Sequence, residues 1–139
     1  MTPAERQLLT DLRRTLLHLH KTLLDWEHAA YQRVHGRSVT GHELLHAILN
    51  DPQFAWLRPV SELIVRIDQA LDVKAQEPDR RPVDVAAIFS QARALVAPDE
   101  EGSVYAKRYH TALQELPDAV FAHRAVADLL KTAPPERTH

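Results

Sequence analysis

Two histidines four residues apart flank a glutamate in the segment His42-Glu43-Leu44-Leu45-His46. On a helix, this H-E-x-x-H spacing places both imidazoles on one face, where they can ligate zinc. The glutamate can then serve as general base toward a metal-bound water. Glu62 follows at a distance where a third ligand could come. The motif therefore raises a zinc-dependent hydrolase or a metal-binding bundle as one alternative, with His42, His46 and Glu62 as ligands and Glu43 as catalytic base.

The same segment has a structural interpretation. Thr40-Gly41-His42-Glu43 is a T-x-x-E capping box, in which side chains satisfy backbone amides at a helix start. The resemblance to zinc metalloproteases is limited to five residues, because the H-x-x-G-x-x-H extension is absent and Arg66 stands where that family's pattern has an acid. A ferritin-like iron site would need a second E-x-x-H element, which the chain lacks. We therefore favour the capping role and expect no cofactor, with zinc or iron as the alternative.

The elements that must position this segment are helices, and the first is the longest. Thr2-Pro3-Ala4-Glu5 predicts a capped helix start, and the helix should run to about Val34 and end at Gly36. Its apolar residues recur in steps of three and four, which is typical of a packed helical seam. The seam consists of Leu9, Leu12, Leu16, Leu19, Leu23, Trp26 and Ala30.

A second apolar row on this helix, formed by Leu17, Leu24 and Tyr31, lies about 100° around from the first. The apolar arc is therefore wider than a surface helix needs, so the helix lies centrally in a bundle or is partly covered by another subunit. A polar line of Arg13, His20 and Glu27 runs between the two rows. It predicts a partly buried hydrogen-bonded ladder or, as an alternative, the wall of a small-ligand pocket.

The remaining sequence also predicts helices. A short helix over 41–50 precedes an aromatic cluster around Phe54 and Trp56, and Pro59 and Pro117 restart or bend later helices. We expect a polar loop at 77–82, a frayed tail at 134–139, and a hydrogen-bonded core histidine at His123. No window shows period-two alternation. These patterns predict an all-α single domain over 1–139, an antiparallel four-helix bundle with one short accessory helix.

Composition limits the possible functions of the 139-residue chain. Hydrophobic residues make up 45%, the formal net charge is -2, and there is no cysteine. This composition argues against disorder, disulfides and thiolate metal sites, and it offers no basic face for nucleic acid. The charged amino-terminal residues and the lack of a long apolar stretch indicate no signal peptide and no membrane span. A cytoplasmic location is the expectation.

The block Asn50–Asp68 resembles a stretch from an uncharacterised family of small helical bacterial proteins, and Leu23–Glu27 is similar as well. The resemblance covers the first half of the chain and implies a bacterial source without any activity. From the wide apolar arc of the first helix, we expect instead a non-enzymatic bundle that acts through a protein partner or as a homo-oligomer, in the simplest case a homodimer. The residues expected at this interface are Leu17, Leu24, Tyr31, Phe54, Trp56 and Arg58.

Overall fold

The computed structural model describes residues 1–36, 40–72 and 83–132, and these form seven α-helices and no strand. The predicted all-α class is confirmed. The predicted loop at 77–82 and the predicted tail at 134–139 lie outside the described residues. In chain order the helices are α1 (Pro3–His35), α2 (Gly41–Asn50), α3 (Pro52–Ala55), α4 (Arg58–Leu71), α5 (Val85–Leu95), α6 (Val104–Glu115) and α7 (Pro117–Thr132).

Both ends of α1 are fixed by local side-chain and backbone chemistry. The Thr2 amide donates to the Glu5 carboxylate at 3.0 Å, and the Glu5 amide donates to the Thr2 hydroxyl at 3.1 Å, so the predicted capping box is present. Gly36 ends the helix with a φ of 66°, a left-handed conformation that a Cβ would strain. The start and the end predicted for this helix are therefore confirmed.

Prolines and an aspartate set the later boundaries. The Asp51 amide donates to the Ala47 carbonyl at 2.7 Å and ends α2, while the Asp51 carboxylate accepts the Gln53 amide at 2.9 Å and caps α3. Pro59 occupies the first turn of α4, where its missing N–H leaves no helical bond unmade. Pro117 begins α7, so the predicted interruption of the last helical stretch is a complete break between α6 and α7.

Helix α1 provides the central face of the hydrophobic core. It packs against α4 and α7, and α5 packs against both of these helices. The five leucines of the α1 seam are at most 1% exposed, which confirms the predicted apolar seam at these positions. Helix α6 packs against α7, and the short α2 packs mainly against α3. The antiparallel order of a four-helix bundle stays a prediction. The seam leucines are Leu9, Leu12, Leu16, Leu19 and Leu23.

Candidate functional site

A fully buried carboxylate lies where α1, α3 and α6 meet. Glu27 is 0% exposed, and its carboxylate accepts hydrogen bonds from three side chains. Gln53 Nε2 donates to Oε2 at 3.0 Å, and Trp56 Nε1 donates to Oε1 at 2.9 Å. Arg108 donates to Oε1 through Nε at 2.8 Å, and its Nη2 lies 2.7 Å from the same oxygen. We call Glu27 and these three partners the Glu27 cluster.

Two further contacts of the Glu27 cluster fix the orientation of its side chains. The Gln53 side-chain amide also donates to the Glu27 main-chain carbonyl at 3.2 Å, so Gln53 alone makes two hydrogen bonds from α3 to α1. The Arg108 guanidinium lies 4.3 Å from the centre of the Trp26 ring, a cation–π distance. Burying a charged carboxylate is costly unless it is paired and hydrogen-bonded, and here the pairing comes from a distant helix. The cluster therefore joins three segments that are far apart in sequence.

An aromatic series continues from the Glu27 cluster into the core. The rings of Trp56 and Tyr105 are 5.6 Å apart, and Tyr105 stacks on Tyr109 at 5.8 Å. The Tyr109 hydroxyl lies 2.6 Å from His123 Nδ1, so the predicted hydrogen-bonded core histidine is confirmed. Burial raises the pKa of both tyrosines above the ordinary value.

A small cavity lies on the other side of α3, between α1, α2 and α4. Its volume is about 120 Å³, of the order that holds one aromatic ring. Its lining is mostly aliphatic and aromatic. Burial lowers the pKa of His20 in this lining, so its ring is neutral at pH 7, and Arg58 supplies the positive charge. The lining residues are His20, Leu24, Ile48, Leu49, Phe54, Leu57, Arg58 and Ser61.

Exposed apolar side chains continue the lining on three helices. Leu17 is 38% exposed and lies one turn before His20 on α1. On α2, Leu45 is 56% exposed and Leu49 is 61% exposed. Val65 is 53% exposed, one turn after the cavity-lining position 61 on α4. We call these four residues, together with the cavity, the apolar surface.

The six predicted interface residues fall into three environments. Leu17 is exposed and belongs to the apolar surface, while Leu24 and Arg58 line the cavity. Phe54 is only 2% exposed, so this chain covers it and it reaches the surface only through the cavity. Trp56 and Tyr31 are half-buried: Trp56 bonds Glu27, and Tyr31 stacks on His35 at 3.9 Å.

The H-E-x-x-H segment begins α2, as the capping interpretation predicts. The Thr40 hydroxyl accepts the Glu43 amide at 3.2 Å, which is one of the two bonds of a capping box. His42 and His46 are exposed on α2, and Glu62 is exposed on α4. Within residues 1–36, 40–72 and 83–132, no three histidine or carboxylate side chains come together as a metal-binding group. His42, His46 and Glu62 are therefore not assembled into the predicted ligand set.

The predicted polar line of α1 divides between separate environments. Arg13 forms an ion pair with Asp68 of α4, His20 lines the cavity, and Glu27 is the buried acceptor described above. Of the predicted partly buried ladder, only Glu27 is a buried hydrogen-bonded position, because the Arg13–Asp68 ion pair is exposed. Of the three side chains that the alternative small-ligand pocket would need, only His20 lines this cavity.

Two features of this region were not predicted from the sequence. Arg108 was not singled out, and it is 81 residues from Glu27 along the chain, so no local spacing connects the pair. The exposure of Leu45 and Leu49 was also missed, although a signal was available. Apolar residues occupy about half of the circumference of α2, and a short helix of that kind cannot bury every one of them against a single neighbour.

Comparisons with protein-family models, with curated proteins and with solved structures find no match to this chain. The resemblance of Asn50–Asp68 to a bacterial family therefore stays an expectation, and any function is inferred from the geometry. Among the described residues, no helix combines the length and the apolar character needed to cross a bilayer.

Removing the positive partner of the Glu27 cluster should destabilise the fold. Arg108→Met leaves a buried carboxylate with neutral donors only, and we expect a loss of about 2–4 kcal/mol in the free energy of unfolding, measured with urea. Arg108 is 37% exposed, so the loss is smaller than for a fully buried pair. Adding Glu27→Gln should recover part of it. Arg14→Met, at an exposed arginine, is the control; an equal effect of both arginine variants would contradict the role of the cluster.

Acidification should destabilise the protein through His123. Burial, and then the Arg124 charge, lower the pKa of His123 below its ordinary 6.5, so the unfolded chain takes up the proton first. The free energy of unfolding should therefore fall as the pH drops from about 6.5 toward the lowered value. In urea titrations at several pH values, His123→Gln should reduce the dependence of the free energy of unfolding on pH. His20, whose pKa is also lowered by burial, should account for part of the pH dependence that remains. Retention of the wild-type pH dependence by His123→Gln would refute the assignment.

The paired imidazoles of α2 should not retain a metal tightly. Two protein ligands leave zinc half-coordinated, and zinc sites in proteins use at least three. We expect elemental analysis of protein purified without an affinity tag to find less than about 0.1 zinc or iron per chain. Stoichiometric metal that is lost in His46→Ala, but kept in His18→Ala, would instead establish the metal-binding alternative.

Proposed function

We propose that the protein acts through protein–protein contacts made by the apolar surface, either with a second copy of itself or with another protein. The observation that carries the proposal is the pair of leucines on α2, which are more than half exposed beside an open apolar cavity. Single exposed leucines are ordinary on protein surfaces. Exposed apolar residues of three helices lie within one helical turn of residues that line the cavity, and apolar residues grouped on a surface mark interaction sites.

The chemistry of the apolar surface indicates what it binds. The cavity has the volume of about one aromatic ring, and buried side-chain anchors of that size contribute most of the energy of protein interfaces. Arg58 is exposed at the cavity and forms no ion pair with any described residue, including Glu62 one turn along α4. A partner should therefore present an apolar anchor with an acidic residue beside it, because opposite charges at the rim set orientation and specificity.

Site-specific photo-crosslinking tests the proposal. A photo-crosslinking amino acid in place of Leu49 should give one dominant covalent adduct in living cells. The same amino acid in place of Val104, which is 79% exposed on α6, is the matched control and should give no such adduct. Val65→Glu should remove the adduct formed at position 49, because it introduces a charge into the apolar surface. Mass spectrometry of the adduct identifies the partner.

The outcomes of this experiment are distinct. No adduct at position 49, or the same adducts at positions 49 and 104, would contradict the proposed interaction surface. An adduct that persists in Val65→Glu would place the contact elsewhere. A single adduct that depends on Val65 would support the proposal whether the partner is a second copy or a different protein.

A further inference from the structure

The exposed face of α7 carries an aromatic side chain that the fold itself does not cover. The chain has three phenylalanines, of which Phe54 and Phe89 are at most 2% exposed, while Phe121 is 68% exposed. Asp118 is also exposed and lies one turn earlier on the same helix face. Helix α7 therefore presents an apolar anchor and an adjacent carboxylate together.

This pair matches the apolar surface in size and in charge. The cavity has a volume of about 120 Å³, of the order of a phenyl ring, and five of its eight lining residues are aliphatic or aromatic, the others being His20, Arg58 and Ser61. Its lining contains no aspartate or glutamate among the described residues, and Arg58 is its one full positive charge. A carboxylate one helical turn from the inserted ring can reach such a rim cation. The two features lie on different helices, so one copy can offer the ring while another offers the cavity.

We propose that the occupant of the cavity is Phe121 of a second copy of this chain, with Asp118 of that copy paired to Arg58. This inference rests on the proposed function and specifies its partner. The contact joins two different surfaces, so it closes as a symmetric pair with two equal contacts, closes as a ring, or continues as an open chain of copies. Arg124 lies one turn beyond Phe121 and carries the same charge as Arg58. Because like charges repel, the α7 helix docks with its amino-terminal turn, which carries Asp118, toward Arg58.

The first test is self-association of the full chain, measured by sedimentation equilibrium over a range of concentrations. The weight-average mass of the wild-type protein should rise above that of the monomer. Phe121→Ala should weaken the association about tenfold or more, since it removes the buried anchor. Val104→Ala, which also shortens a highly exposed apolar side chain, should leave it unchanged. Circular dichroism checks that each variant keeps its helices.

A charge exchange tests the pairing itself. Arg58→Glu alone places a second carboxylate against Asp118, and Asp118→Arg alone places a second guanidinium against Arg58. Each variant should therefore associate at least about tenfold more weakly than wild type. In an equimolar mixture every contact between unlike copies pairs opposite charges. The mixture should therefore recover association to near the wild-type level, which neither variant shows by itself.

Several results would overturn this inference. A protein that stays monomeric at all concentrations, an association that Phe121→Ala leaves intact, or a mixture that fails to associate would each exclude the pairing. These failures are distinguishable from failure of the proposed function. A monomeric protein whose position 49 crosslinks to one different protein, in a manner that depends on Val65, would keep the interaction surface and replace the partner.

Discussion

The burial of one carboxylate, that of Glu27, constrains how three segments of this protein pack together. Glu27 is fully covered, and a buried charge without donors would cost several kcal/mol. The three donors come from positions 26, 29 and 81 residues away, so the chain can satisfy the carboxylate only when α3 and α6 both lie against α1. A purely apolar contact at this place would allow the helices to slide past one another into several packing arrangements. The directional hydrogen bonds to Oε1 and Oε2 of Glu27 are satisfied in only one of these arrangements.

The same constraint shapes the apolar surface. Gln53 and Trp56 bond Glu27, while their chain neighbours Phe54 and Leu57 line the cavity. The short segment from α3 to the start of α4 therefore has one side bound to the buried carboxylate and another side that forms the cavity. The loss of the cluster should consequently change the shape of the cavity as well as the stability of the fold. The candidate interaction site depends on a polar group that it does not itself contain.

Local features of this fold could be predicted from the sequence, and non-local ones could not. Thr2, Gly36 and Asp51 act within four residues of themselves, so their capping roles follow from residue type and spacing. The apolar seam of α1 follows from periodicity. The pairing of Glu27 with Arg108 depends on tertiary packing, for which a single sequence carries no signal. Phe54 was expected at an interface because aromatic residues are enriched there. An aromatic side chain is equally suited to burial within its own chain, and this is where Phe54 lies.

Helix α2 links the stability of the protein to its proposed interaction. It has ten residues, packs mainly against α3, and buries only Ala47. A helix of this length is marginal on its own, so its stability depends on the contacts that cover it. The two exposed leucines supply apolar area that the monomer leaves uncovered. A partner that buries Leu45 and Leu49 should therefore stabilise α2 at the same time, because binding to the folded form alone raises the free energy of unfolding. In the proposed interaction, part of the energy that orders this helix would come from the contacts that cover Leu45 and Leu49.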